Sequence, residues 1–121
     1  MSAPVQITVR HMARSDPLTA RIRADADKLS EFYPRIISCR VVVERRDLHK
    51  HQGQTYNVRL VLKVPKEEIV VTHDHHEDVY IAVRDAFASA TRRLEDYARQ
   101  RRGEVKAHSL AVGGKAGGVE E

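Results

Sequence analysis

The residues of this chain best suited to chemistry are its cations, its histidines and its single cysteine. Most of the 21 lysines and arginines are arginine, whose planar, permanently charged fork suits phosphate better than an ammonium does. Arg14, Arg21 and Lys28 fall at seven-residue spacing, which on a helix places them along one side. Arg84, Arg92, Arg99 and Arg102 lie away from, or on the border of, an apolar stripe farther along the chain. Cations on two neighbouring helices line the groove between them and make an electrostatic footprint for a phosphate backbone. The same pattern also fits solvated helix faces whose arginines suit the helix dipole. Asp25, Asp27, Glu95 and Asp96 dilute the charge.

His73, His75 and His76 crowd one short segment, with His49 and His51 in the loop before it. Imidazole is a common zinc ligand. Here, however, two of the histidines are adjacent and point apart, and no second ligand set has a standard spacing. The segment reads instead as a polar loop and helix entry, and no metal or other cofactor is expected. Cys39 falls on the core side of a predicted strand, where cysteine is an inert small hydrophobe. There is no nucleophile elbow and no glycine-rich phosphate loop, so the chain is not expected to be an enzyme or to take a small-molecule substrate. The six aromatics, Phe32, Tyr33, Tyr56, Tyr80, Phe87 and Tyr97, are all assigned to packing.

The elements that must position these groups follow from periodicity. Residues 5–9 alternate apolar and polar and read as a strand. Asp16 is placed to cap a helix with Pro17 at its first position, and Leu18, Ile22, Ala26, Leu29 and Tyr33 form its apolar stripe. Pro34 ends it. Residues 37–45 make a second strand, with Cys39, Val41 and Val43 on one side. Tyr56, Val58, Leu60, Leu62 and Val64 make a third, and residues 69–72 a short fourth. Short connections imply an antiparallel meander. Asp74 and Glu77 resemble a capping box opening a long helix, with the stripe Val79, Val83, Ala86, Phe87, Ala90, Leu94 and Tyr97, closing near Arg102 with Gly103 as its stop. The order is β-α-β-β-β-α, an α+β two-layer sandwich with both helices on one face of a four-stranded sheet. Residues 1–103 are expected to form the domain and residues 104–121, with four glycines in the last nine positions, a flexible tail.

The length of 121 residues allows one small domain. No apolar run is long enough to span a bilayer, and the N-terminal residues lack the features of a secretory signal. One cysteine permits no intrachain disulfide, which fits a reducing cytoplasm. The net charge of +4 is mildly basic, and six cations against three acids between Arg92 and Lys106 concentrate it locally.

The segment His76-Glu77-Asp78-Val79-Tyr80-Ile81-Ala82-Val83-Arg84-Asp85-Ala86 resembles the signature opening the last helix of the hibernation-promoting factor and ribosome-associated inhibitor family. Ile7-Thr8-Val9-Arg10-His11, residues 19–33 and residues 36–44 resemble its first strand, first helix and second strand, in order and spacing. The resemblance covers about residues 5–102. It implies a fold similar to double-stranded-RNA-binding domains, and binding to the small ribosomal subunit and its rRNA in the channel used by mRNA and tRNA. The implied contacts are basic side chains on the helices, which here are Arg21, Lys28, Arg84, Arg92, Arg93, Arg99, Arg101 and Arg102. Where many members carry lysines in the last helix, this chain has Ala88, Ser89 and Ala90. The residues after the helix do not resemble the dimerisation or cold-shock-like domains of some relatives.

The expected mechanism is occupancy of that channel by a cytoplasmic protein during stress or stationary phase, with salt-dependent affinity and recognition of RNA shape. Two alternatives are a general structured-RNA-binding module and a protein-interaction domain that modulates a transcription factor.

Overall fold

The alternating and helical patterns fold into β1 (Val5–Arg10), α1 (Asp16–Phe32), β2 (Ser38–Asp47), β3 (Gln54–Val64), β4 (Glu67–His76) and α2 (Val79–Gly113). The computed structural model describes residues 3–47 and 53–113, with side chains as far as residue 103. The order is the β-α-β-β-β-α expected. The chain divides into two compact units, residues 1–91 and 92–121, with α2 beginning in the first and ending in the second.

The first unit contains the whole sheet, in spatial order β1-β2-β3-β4. β2, β3 and β4 form the antiparallel meander, while β1 pairs in parallel with β2, so the sheet is mixed. The α1 crossover makes that parallel pairing possible, since a short turn cannot return the chain to run in the same direction. The register places Ile7, Val41, Leu60 and Val71 in one row across the sheet, flanked by Cys39 with Leu62 and Ile69 and by Val43 with Val58. All nine are buried. Above them pack Leu18, Ile22, Ala26 and Leu29 of α1 and Ala82, Val83, Ala86, Phe87 and Ala90 of α2. Ile22 and Leu60 are fully inaccessible, and burying side chains of this size contributes roughly 1.5–3 kcal/mol each.

The other face of the sheet carries Gln6, Thr8 and Arg10 on β1, Arg40, Val42 and Glu44 on β2, Arg59, Val61 and Lys63 on β3, and Val70 and Thr72 on β4. Apart from buried Val61, these residues are half-buried or exposed.

Several boundaries differ from expectation. The cap of α1 is Ser15, whose extended backbone lets its Oγ accept from the Leu18 amide at 3.3 Å; Asp16 is already helical. β4 runs through Asp74, His75 and His76. Asp74 therefore caps nothing. The cap of α2 is Asp78, whose Oδ1 accepts from the amides of Tyr80 at 2.9 Å and Ile81 at 3.2 Å. The strand outlasts its apolar alternation because the ladder to β3 continues beneath polar side chains. A register shift between Tyr56 and Val58 accommodates His75, which has φ of 62° and donates its amide to Asn57 Oδ1 at 2.9 Å.

α2 passes through Gly103 and continues to Gly113. A mid-helix glycine costs only about 1 kcal/mol, and the following residues include good helix formers. The helix end expected at residue 102 is thus corrected, and residues 114–121 of the expected tail lie outside the described residues.

Candidate nucleic-acid interface

Within the first unit, α1 and the opening turns of α2 flank an open groove of about 350 Å³. Leu29 and Phe87 give it an apolar floor, Phe32 an exposed aromatic edge, and Arg21, Lys28 and Arg84 stand on its rim. Helical spacing explains the grouping. Arg21 and Lys28 lie two turns apart on α1, off the stripe that ends in Leu29, while Arg84 sits one residue beyond buried Val83 on α2. All three cations are exposed. Ala88 and Thr91 complete the α2 side, and the small Ala88 leaves the groove uncharged at that position.

Acids hold two of the cations. Arg21 Nε donates to Asp25 Oδ2 at 3.2 Å, one helical turn on. Arg84 donates through Nε and Nη2 to Asp85 Oδ1 at 3.2 and 3.1 Å. The other oxygen of Asp85 faces His76 Nε2 at 3.5 Å. Lys28 meets no carboxylate within ion-pair range among the described residues.

Three of the eight cations expected to bind RNA are thus brought together. The other five belong to the second unit. There Arg92, Arg93, Arg99 and Arg102 are exposed and Arg101 is half-buried, while Leu94 and Tyr97 are buried. Arg99 pairs with Asp96. Arg14, expected in line with Arg21 and Lys28, precedes α1 and donates to the Ile7 carbonyl at 3.2 Å.

Two groove residues escaped the sequence reading. Phe32 was assigned to packing, yet 52% of it is exposed. The available signal was its place outside the Leu18–Leu29 stripe. Asp25 was read only as dilution, although its spacing of four from Arg21 marks a helical ion pair.

The histidines have structural roles. His73 lies in β4 and meets Ser89 Oγ of α2 at 3.0 Å. His76 accepts from the Asp78 amide at 3.4 Å through Nδ1. Among the described residues no group of three histidines, cysteines or acids is arranged to hold a metal; His49 and His51 lie outside them. Burial pushes the Cys39 thiol up to about 12, so it carries no nucleophilic thiolate near neutral pH. No helix among the described residues is long and apolar enough to cross a membrane.

A four-stranded sheet, two helices and a cationic groove beside them define an α+β domain with a basic cleft. The chain belongs to the family described as sigma 54 modulation protein / S30EA ribosomal protein, whose profile matches residues 5–102. Among solved structures, it is similar to a ribosomal subunit interface protein from Coxiella burnetii, with a TM-score of 0.68 and 16% identity over 79% of this chain and 98% of that one. It is also similar to the N-terminal domain of Protein Y from Thermus thermophilus, with a TM-score of 0.62 and 14% identity over 80% of this chain and 99% of that one. At these identities the likeness establishes the fold. No curated protein sequence gives a significant match.

Proposed function

We propose that this protein silences idle ribosomes by binding rRNA of the small subunit and occupying the channel that mRNA and tRNA need. The observation that carries this reading is the groove: three exposed cations around an apolar floor, on a fold shared with a ribosomal subunit interface protein. The rim charges attract phosphates, and exposed Phe32 offers a face for a ribose or an unstacked base. Arg92, Arg93, Arg99, Arg101 and Arg102 are a further basic group, in the second unit. No bond is made or broken, so inhibition is competitive occupancy. The protein acts in the cytoplasm, under stress or in stationary phase.

Co-sedimentation with isolated small ribosomal subunits tests the proposal. Binding is expected at low salt, to weaken steeply as salt rises, and to be blocked by mRNA with initiator tRNA. Reversing the groove charges together, Arg21→Glu, Lys28→Glu and Arg84→Glu, is expected to weaken binding on the order of 100-fold without unfolding the chain. Undiminished binding by that variant sinks the groove as the contact surface. Equal affinity for free duplex RNA favours a general RNA-binding module, and salt-independent binding to a protein favours the transcription-factor reading.

A further inference from the structure

The groove uses one side of the first unit. On the opposite side, the open sheet face gathers a second group of cations around Val61. In the ladder Arg40 stands directly across from Val61 on β2, while Arg59 and Lys63 lie two residues to either side of it on β3. Residues so related on one sheet face sit roughly 5–7 Å apart. Val61 stands among exposed and half-buried residues, yet only 6% of it is exposed. In this register its neighbours are Val70 on β4 and the long aliphatic stems of Arg40, Arg59 and Lys63, which cover apolar surface while holding their charged ends in water.

The three charges are not neutralised within the fold. Arg40, Arg59 and Lys63 are exposed and have no ion pair among the described residues. Glu68 is the ladder neighbour of Lys63, but it does not come within ion-pair range. Glu44 on this face sits 3.4 Å from His11, and Asp74, two residues beyond Thr72 on β4, makes no ion pair with the three cations. Between the cations and β1 lies a depression of about 210 Å³, lined by Gln6, Ser38, Arg40 and Lys63, with Glu68 at its edge. Thr8 and Thr72 add hydroxyl groups in the row of Arg59. Like charges gathered on one sheet face oppose folding, and nothing in the core requires them there.

We propose that this open sheet face is a second RNA-binding surface, taking the phosphate backbone of a strand separate from the one in the helix groove. The protein is then held between two RNA segments. Charge complementarity selects the occupant. Three unpaired cations beside hydroxyl and amide groups fit a polyanion, while Val61 at their centre is already covered and its neighbours Val42 and Val70 are half-buried, leaving little for an apolar protein partner to bury. The inference rests on the ribosomal reading above and adds a second contact surface to it.

The test compares the full chain with Arg40→Gln/Arg59→Gln/Lys63→Gln, and with Arg21→Gln/Lys28→Gln/Arg84→Gln as the groove counterpart, in titrations with small ribosomal subunits over a range of salt. All six positions are exposed, and thermal melts serve as the fold control. The sheet variant is expected to bind about 10-fold more weakly, with a salt slope shallower by about 2 to 3, one unit or slightly less per lost phosphate contact. A photo-crosslinker at Thr72 is expected to capture rRNA. Wild-type affinity and slope in the sheet variant overturn the proposal and leave the groove reading intact. Capture of a ribosomal protein from Thr72 overturns it in favour of a protein contact. If the wild-type chain does not bind subunits, the ribosomal reading fails on its own; titration with a structured RNA hairpin then decides the sheet, and equal affinity of wild type and sheet variant refutes it.

Discussion

In the helix groove, Arg21 and Arg84 are tied to Asp25 and Asp85. On the open sheet face, Arg40, Arg59 and Lys63 have no such partner among the described residues. Arg21 and Arg84 are oriented but partly neutralised, and Lys28 keeps its charge. Exposed ion pairs of this kind contribute at most about 1 kcal/mol, so a phosphate displaces the carboxylate at small cost. The sheet cations are positioned by their stems around Val61 and keep their full charge. The groove therefore offers shape, with an apolar floor and an aromatic edge, and the sheet offers field. Under the proposed RNA binding, recognition of RNA shape falls chiefly to the first surface, while both surfaces contribute salt-sensitive attraction.

The largest effect expected from a change at neither surface comes from the start of α2. Asp78 accepts two amide hydrogen bonds there, and Arg84 stands within two turns of it. Asp78→Ala is expected to lower stability by about 1 kcal/mol, read as a shift in denaturant midpoint, and to loosen the groove while leaving the sheet contacts unchanged. Asp74→Ala is expected to leave the midpoint where it was. If Asp74 proves the costlier substitution, the assigned helix start is wrong and the position of Arg84 with it.

The contrast between Asp74 and Asp78 shows what the sequence made legible. Strand alternation from Val58 to Val64 and the helical stripes were unambiguous, because burial on one face imposes a period. They gave the element order, the core residues and three groove cations. Ends of elements are set by single hydrogen bonds, and Asp74-x-x-Glu77 and Asp78 are both plausible caps by composition. Only the continuation of the β4 ladder, a backbone matter, separates them. The open-face cluster was hidden for a different reason: Arg40, Arg59 and Lys63 are scattered along the chain, and only the β2–β3 register makes them neighbours. Gly103 carries a stop signal that the helix-forming residues after it override.

A smaller effect distinguishes the two surfaces by their acids. Asp25→Asn and Asp85→Asn each remove a carboxylate that competes with phosphate, at little cost to stability. Each is expected to tighten binding to the small subunit about 3-fold at low salt, with the gain fading as salt rises. Glu68→Gln, which removes no ion pair, is expected to change affinity less. Weaker binding by the groove variants breaks the comparison, because it means the carboxylates hold Arg21 and Arg84 in the binding geometry.

Cys39 is expected to change least and serves to police the rest. It lies on the core face of β2, one residue before Arg40, and burial pushes its thiol from about 9.0 up to about 12. Well below pH 9 the proton is bound in both the folded and the unfolded chain, and this contribution to stability is fully present. Between the two values the unfolded chain releases a proton that the folded chain keeps, so stability falls as pH rises, and the contribution is lost as pH passes through about 12. Cys39→Ala is expected to flatten stability against pH between about 9 and 11 relative to wild type. At pH 8, iodoacetamide should label the folded protein far more slowly than the chain in denaturant, since the thiolate is the nucleophile. A groove or sheet variant that loses RNA affinity while Cys39 stays protected has lost a contact, whereas one that labels quickly has lost the fold. Fast labelling of the wild-type chain would show that the sheet opens readily, and the two faces could not then be treated as separate surfaces of one rigid layer.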